Sequence, residues 1–351
     1  MNTTGKPPRI VLTATETGVK AVCRYWLGLG RLLELGSFTP FYIFPENDPL
    51  VSIARTMGYR VEEIEPEKRA RNWEVLRDHP IASVLTDSLD SIPWLQKQLP
   101  WIKPEQFRLV VPILQRTQRG WFSHKHGVLY GSPDAVREQT DLWMPLLPEP
   151  VWISEARAND WYAMNSLDVS KPVVYIPVSA ERLHLCYHYF DAIEIALTIH
   201  PNLVFAIGCA ILPSSFEPIA EYFLKYGAGR VVPVSTDREA DTIWSAASLL
   251  WQIDSDGNDG FEPLVIANRV GLPSLLSDDV AHRQWVAAGF GNEVISTSFP
   301  QRWADSTIEW LQKNSWELRR ERIRHHREDW SERRQAERLL HWLGWQLRDE
   351  Q

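Results

Sequence analysis

The chain has 351 residues, a formal net charge of −8 and 44% hydrophobic residues. This length exceeds what one hydrophobic core usually supports and predicts two domains, and the composition is too apolar for a disordered protein. The acidic balance argues against a broad nucleic-acid-binding face, and three cysteines without ligand spacing indicate a reducing compartment and no structural zinc site.

Strand and helix patterns alternate through the first half of the chain. A strand over 9–15 enters a loop at 16–20, and a helix follows over about 21–35. The later strands of this half are predicted at 41–44, 59–65, 82–87, 107–114 and 127–132, with helices between them. Such alternation predicts a parallel sheet, in a first Rossmann-like domain over residues 1–150.

A proline-rich connection then precedes a second alternating half. We expect a linker over 151–170, a second Rossmann-like domain over 171–315 and C-terminal helices over 316–351. The helices of the second domain are predicted at about 185–199, 216–226, 237–247 and 263–269. The sequence lacks a signal-peptide pattern and any run of about 18 apolar residues, so we expect a cytoplasmic protein without a transmembrane segment.

The segment DSDGNDGFEPLVIANRVGLPSLL, residues 254–276, is the most informative part of the chain. It places an acidic, glycine-containing loop between a strand and the start of a short helix. The N-terminus of a helix carries unpaired N–H groups and about half a positive charge, which suits a phosphate or a sugar. The order strand, acidic loop and helix therefore predicts an anion and sugar site.

This segment resembles the signature EGFGLPLLEAMAxGxPVV of retaining GT-B fold glycosyltransferases. Asp259, Gly260 and Phe261 match the opening acid-Gly-Phe, Pro263 the helix-starting proline and Gly271 the closing glycine. The resemblance covers roughly residues 170–315, whereas the N-terminal half matches only in its alternation of strands and helices. It implies an α/β GT-B fold, with two doubly wound parallel-sheet domains facing a central cleft and a C-terminal helical tail.

The resemblance also implies an activity. It is the transfer of a sugar from a UDP- or GDP-linked donor to an unidentified acceptor, with retention, without a metal ion and without any cofactor besides the donor. The acidic loop superficially matches a calcium loop, but it lacks the final glutamate, so no metal site is expected.

The donor-binding residues follow from the same resemblance. The family's second glutamate, which binds the ribose hydroxyls, falls at Ile266, which cannot accept a hydrogen bond. Glu262 and Asn268 are the candidates to replace it. The family's phosphate-binding loop corresponds to the segment after the first strand of the second domain. Its candidate residues for binding phosphate are Ser179, Arg182 and His184. The alternative for Arg182 is an exposed ion pair with Glu181.

The first half of the chain contains the acceptor-side candidates and three of the catalytic candidates. The acceptor-side candidates lie in the first βα loop and are Glu16, Thr17 and Gly18. The catalytic candidates of this half are Asp87, at the end of a predicted strand, and the histidines His124 and His126. Helix capping is the alternative role for Asp87, and packing or surface exposure for the histidines. In the second half, Asp259 and Glu262 are the catalytic candidates.

Two other classes of function remain open. The replaced glutamate also fits a catalytically degenerate GT-B protein that acts as a binding or regulatory subunit, and an epimerase or phosphorylase on this fold is a further possibility. A modified DNA base as acceptor would need a basic face, for which Arg116, Arg119, Lys125 and the arginines of 319–327 are the candidates. The alternative for the last run is a solvated helix with i,i+4 ion pairs.

Overall fold

The protein is described by a computed structural model over residues 8–14, 20–64, 76, 80–88, 91–111, 128–130, 141–144, 151–178, 180–208, 225, 230–234, 236–253, 262–287, 293–312, 316–326 and 329–345. The chain forms two compact units. Unit 1 comprises Met1–Leu147 with Ser331–Gln351, and unit 2 comprises Pro148–Trp330. The division falls near the expected domain end at 150, but the expected helical tail over 316–351 is shared between the units.

Each unit contains one parallel sheet, whose strands are numbered along the chain. The strands of unit 1 are β1 (Arg9–Thr13), β2 (Thr39–Pro45), β3 (Arg60–Ile64), β4 (Ile81–Thr86), β5 (Phe107–Val111), β6 (Val128–Tyr130) and β7 (Leu142–Trp143). Those of unit 2 are β8 (Val173–Pro177), β9 (Val204–Gly208), β10 (Val231–Val234), β11 (Leu249–Gln252), β12 (Ser274–Ser277) and β13 (Glu293–Ile295). Every described pairing is parallel, which confirms the predicted α/β class with two Rossmann-like sheets.

Helices flank both sheets. In chain order the α-helices of the described residues are α1 (Lys20–Leu35), α2 (Pro49–Thr56), α3 (Ser91–Gln98), α4 (Glu155–Met164), α5 (Phe190–Ile199), α6 (Thr236–Ala246), α7 (Glu262–Arg269), α8 (Val280–Ala287), α9 (Pro300–Gln312), α10 (Trp316–His326) and α11 (Glu332–Trp342). No helix of the described segments has both the length and the hydropathy needed to cross a bilayer. The helix predicted over 216–226 lies almost entirely outside the described residues.

The C-terminal helix α11 is part of the core of unit 1. Its residues Ala336, Leu339 and Leu340 are buried in the same cluster as Leu29 and Leu33 of α1. Residues four positions apart share one face of a helix, so the apolar face of α11 lies against α1. This packing explains why the last 21 residues group with the first unit rather than with the second.

Tryptophan forms much of the core of unit 2. The ring of Trp251 in β11 lies 4.9 Å from that of Trp303 in α9 and 5.0 Å from that of Phe205 in β9. Its Nε1 donates a 3.0 Å hydrogen bond to Oγ1 of Thr307, so the buried indole keeps a polar partner. Trp251 and Trp303 are therefore packing residues of this core.

The segment after β8 differs from the prediction. The sequence predicts one α-helix over 185–199, whereas a 3-10 helix, Ala180–Tyr189, precedes α5. Leu183, Cys186 and Tyr189 are buried, and their spacing of three residues matches the three residues per turn of a 3-10 helix. The neighbouring face, which carries His184 and Tyr187, is exposed.

Candidate functional site

The strand order of unit 2 points to one end of its sheet. The order is β10-β9-β8-β11-β12-β13, so the chain builds outward from β8 in one direction and then outward from β11 in the other. In such sheets, ligands bind outside the carboxyl ends of the two strands where the order reverses. For unit 2 these strands are β8 and β11.

The two segments predicted from the sequence to bind the donor follow these two strands. The 3-10 helix with Arg182 and His184 begins three residues after β8 ends, and α7 begins with Glu262 after the loop that leaves β11. His184 is exposed, and Glu262 and Pro263 are partly exposed. Both segments therefore follow the carboxyl ends of the strands where the order reverses, and the roles assigned to their residues stay predictions.

Several of the predicted residues lie outside the described part of the chain. In unit 2 these are Ser179, Asp259, Gly260 and Phe261, and in unit 1 Glu16, Thr17, Gly18, His124 and His126. The side chain of Arg182 is likewise outside the description. Their roles stay predictions.

Helix α7 separates its residues into two faces. Glu262 and Ile266, one turn apart, are partly exposed, whereas Leu264, Val265 and Ala267 are buried. Asn268 is also buried, and its Nδ2 donates a 2.9 Å hydrogen bond to the carbonyl of Leu264 in the same helix. On the exposed face, Glu262 is therefore the better placed of the two candidates to replace the glutamate missing at Ile266.

The closing glycine of the motif has a structural role. The amide of Leu272 donates to the carbonyl of Ala267 at 2.8 Å, and that of Gly271 to Asn268 at 3.2 Å, a Schellman motif that ends α7. Gly271 has a φ of +67°, and a Cβ added there would lie 2.4 Å from the carbonyl oxygen of Arg319. Glycine is thus required both by the turn and by the close approach of α10.

Arg319 of α10 is a buried residue that binds two helix ends. Its Nε donates to the carbonyl of Val270 at 2.8 Å, and its terminal nitrogens bind three carbonyls at the end of α6, those of Trp244, Ser245 and Ala247, at 2.6 to 3.2 Å. Burial lowers the pKa of Arg319 to about 10, so the guanidinium stays charged at neutral pH. Arg319 is therefore not part of an exposed basic face, which corrects the grouping of arginines 319–327 as a nucleic-acid surface.

A cluster of polar side chains at the end of β12 was not among the predicted residues. Nδ1 of the fully buried His282 lies 2.7 Å from a carboxylate oxygen of Asp279 and 3.0 Å from Oγ of Ser277. The other carboxylate oxygen of Asp279 accepts the amide of His282 at 2.8 Å and so caps α8. Burial favours the neutral form of Asp279, but the hydrogen bonds from His282 and Ser277 outweigh it, so the pKa of this carboxyl is lowered.

This cluster lies at the edge of the sheet where we predict the donor site. Strands β11 and β12 are neighbours in register, with Gln252 opposite Leu276, so Ser277, the last residue of β12, lies at the same edge from which the chain leaves β11. The sequence carries a signal for this cluster, because two aspartates, Asp278 and Asp279, directly follow the apolar strand that ends at Ser277.

The strand order in the sheet of unit 1 also reverses at one point. Its order is β3-β2-β1-β4-β5-β6-β7, and the reversal lies between β1 and β4. Asp87 follows β4 directly and is partly exposed, in a turn closed by a 2.8 Å hydrogen bond between the hydroxyls of Thr86 and Ser91. Asp87 therefore lies at the edge of the sheet where the sequence predicted it.

Within the described residues, no set of three or more His, Cys, Asp or Glu side chains is close enough to hold a metal ion. The acidic loop 254–261 is not among these residues.

The chain is similar to solved structures over nearly its whole length. A glycosyltransferase from Rickettsia africae ESF-5 matches with a TM-score of 0.67 and 9% identity, covering 96% of this chain and 98% of that one. Anabaena HepE in complex with UDP matches with a TM-score of 0.64 and 10% identity, covering 96% and 99%. A Listeria monocytogenes protein that its structure names as a UDP-N-acetylglucosamine 2-epimerase matches with a TM-score of 0.54 and 12% identity, covering 94% of each chain.

No protein-family model and no curated protein sequence matches the chain. At identities this low, the structural matches establish the fold alone. The chain has the GT-B fold, as the resemblance of its motif implied.

Proposed function

We propose that the protein is a glycosyltransferase that moves a sugar from a nucleoside-diphosphate sugar, UDP-linked in the first instance, to an acceptor still to be identified. The observation that carries the proposal is the placement of both predicted donor segments at the point of strand reversal in unit 2. A solved structure with the same fold, Anabaena HepE, was determined with UDP-glucose, which supports the choice of donor.

The roles follow from charge. The guanidinium of Arg182 suits the leaving diphosphate because it binds phosphate oxygens in a bidentate manner. Glu262 occupies the first turn of α7. A carboxylate that pointed at the diphosphate would repel it, so we assign the side chain of Glu262, together with Asp259 and Gly260, to the hydroxyls of the donor sugar.

Charge neutralisation by Arg182 and the N–H groups at the start of α7 would make a metal ion unnecessary. We further propose retention of the anomeric configuration, because the motif resembles that of the retaining group. Asp87 is the candidate on the acceptor side, where its carboxylate would bind or activate a hydroxyl.

The test uses the full chain with UDP-glucose, with UDP-N-acetylglucosamine and with the GDP-linked sugars, each with and without a chelator. We expect release of free nucleotide and a rise in the unfolding midpoint with at least one donor, unchanged by chelation. Replacement Arg182→Ala should weaken nucleotide binding about 30-fold, which corresponds to about 2 kcal/mol. The matched control is Lys225→Ala, which removes an exposed ion pair with Glu194 in the same unit.

A response to no donor, or equal binding by the Arg182→Ala variant and the control, would reject the proposal. Retention is read separately, from the anomeric proton of the product by nuclear magnetic resonance. A product with inverted anomeric configuration would contradict the proposed retention but not the glycosyltransferase assignment.

Two alternatives are distinguished by the same samples. Ile266 stands where the family has a glutamate that accepts hydrogen bonds, which favours a degenerate protein that binds a partner. Such a protein would not be stabilised by a nucleotide, and Arg182→Ala would have no effect. The match to the Listeria protein favours an epimerase. An epimerase would convert the sugar of UDP-N-acetylglucosamine and leave the nucleotide bound to it.

A further inference from the structure

A polar pocket of about 500 Å3 lies within unit 2, away from the predicted donor segments. Lys171 and Pro172, just before β8, and Ala247 and Ser248, just before β11, form part of its wall. The strands are parallel, so these residues mark the amino edge of the sheet. The donor segments follow the carboxyl edge, at the other ends of the same strands.

The pocket offers hydrogen-bond donors that have no partner within the protein. Among the described residues, Nζ of Lys171 and the side-chain amide of Asn159 make no hydrogen bond and no ion pair. Lys171 is partly buried, and among the described residues no carboxylate lies within ion-pair distance of its ammonium group; Asp168 acts on it from further away. Glu155, the one carboxylate among the lining residues, is exposed to solvent and therefore well screened.

The groups that would repel an anion are hydrogen-bonded or exposed to solvent. The pocket adjoins the end of α6, where the free carbonyls of a helix carry partial negative charge. Arg319, which also lines the pocket, donates to the carbonyls of Ser245 and Ala247 at 3.2 and 3.1 Å. Asp168, which acts electrostatically on Lys171, accepts the amide of Ser170 at 2.8 Å and is exposed, so solvent screens its charge.

We infer that this pocket is a second ligand site, which binds a small oxyanion, the phosphate or carboxylate group of a small metabolite, through Lys171 and Asn159. The volume is in the range of known small-molecule sites, about 300 to 1,000 Å3. The inference does not rest on the glycosyltransferase proposal, because none of its residues belongs to the donor segments.

The test measures how fast each lysine reacts with an amine-acylating reagent, by mass spectrometry, in the full chain. Inorganic phosphate and acetate are the two probes, glucose is the neutral comparison, and potassium chloride keeps the ionic strength constant. We expect phosphate, acetate or both to slow the acylation of Lys171 at least fivefold in a saturable manner. Exposed Lys97 of α3, in unit 1, should react at an unchanged rate.

Two variants make the result specific. Replacing the exposed Asn159 by leucine should raise the half-saturating concentration about tenfold, and its unfolding midpoint shows whether the fold is retained. In the Arg182→Ala variant the protection of Lys171 should persist, whatever the outcome for UDP. Protection by glucose equal to that by phosphate, equal slowing at Lys97, no saturable protection by either anion, or loss of protection with Arg182 would overturn the inference.

Discussion

Replacement of Gly271 by alanine tests the structural role assigned to the motif glycine. The change introduces two costs that the geometry separates. The left-handed backbone, with a φ of +67°, costs an L-residue about 1 kcal/mol. The new Cβ would also lie 2.4 Å from the carbonyl oxygen of Arg319 and 3.0 Å from Cγ1 of Ile323.

The collision cannot be relieved cheaply, because the nearest atom belongs to the backbone of α10. Separating the two atoms to an ordinary contact requires α10 to move by about 1 Å, and forced repacking of this kind costs about 1 to 3 kcal/mol. Arg319 resists the movement, because its side chain is held by carbonyls at the ends of α6 and α7. We therefore expect Gly271→Ala to lower the free energy of unfolding of unit 2 by about 3 kcal/mol.

Gly58 provides a matched control. It also has a positive φ, +85°, but no atom lies within 4 Å of its added Cβ, so Gly58→Ala should cost only about 1 kcal/mol. Urea unfolding, with pulse-labelling hydrogen exchange to assign each transition to its unit, gives both values. Equal losses of unfolding free energy for the two replacements would show that α10 does not pack as closely against Gly271 as the structure indicates.

Three further predictions concern packing and charge. Arg319→Met should destabilise unit 2 by about 3 kcal/mol, because four buried carbonyls lose a charged donor, while exposed Arg324→Met changes stability by less than about 0.5 kcal/mol in urea titrations. Gly30→Ala places a Cβ 1.8 Å from Oη of Tyr42, so it should cost about 2 kcal/mol, and Tyr42→Phe in the same chain should restore part of that loss in a double-mutant cycle. The lowered pKa of Asp279 means that its stabilising effect is present above the unfolded pKa, about 3.9, and is lost as the pH falls through the folded value; Asp279→Asn should therefore cost stability at pH 7 and progressively less below about pH 4.

The contradicting results are specific to each prediction. An Arg319→Met protein as stable as the Arg324→Met protein would mean that water replaces the guanidinium at no cost. Strictly additive effects of the changes at Gly30 and Tyr42 would remove the proposed collision. A pH-independent difference between the Asp279→Asn and wild-type proteins would show that the lowered pKa is wrong.

The fold class could be predicted because its signals are local. Apolar runs and helical spacings repeat along the sequence, and their alternation requires parallel sheets whatever the details of packing. The ends of elements were less predictable. The sequence predicts an α-helix from about Leu185, whereas the 3-10 helix Ala180–Tyr189 occupies this start, and burial follows the three-residue spacing of Leu183, Cys186 and Tyr189.

Contacts between distant segments could not be predicted from the sequence. Arg319 lies 49 residues from Val270 and 75 from Trp244, and nothing in an arginine-rich segment distinguishes buried Arg319 from exposed Arg324. Arg230 is a similar case, since its guanidinium binds the carbonyl of Leu197 near the end of α5, 33 residues earlier. In both cases a cation stabilises the negative end of a helix, and only the tertiary fold brings the two together.

The two ends of α7 are under different physical constraints, which accounts for how the motif matches and departs from the family signature. At Gly271 any side chain meets the backbone of α10, so the fold itself requires glycine whether or not the protein binds a nucleotide. At Ile266 the side chain is partly exposed on the face it shares with Glu262, so the fold tolerates many residues there. The matching glycine is therefore evidence for the fold, whereas the isoleucine bears on the ligand. For that reason nucleotide binding, and not stability, is the measurement that decides between an active transferase and a degenerate one.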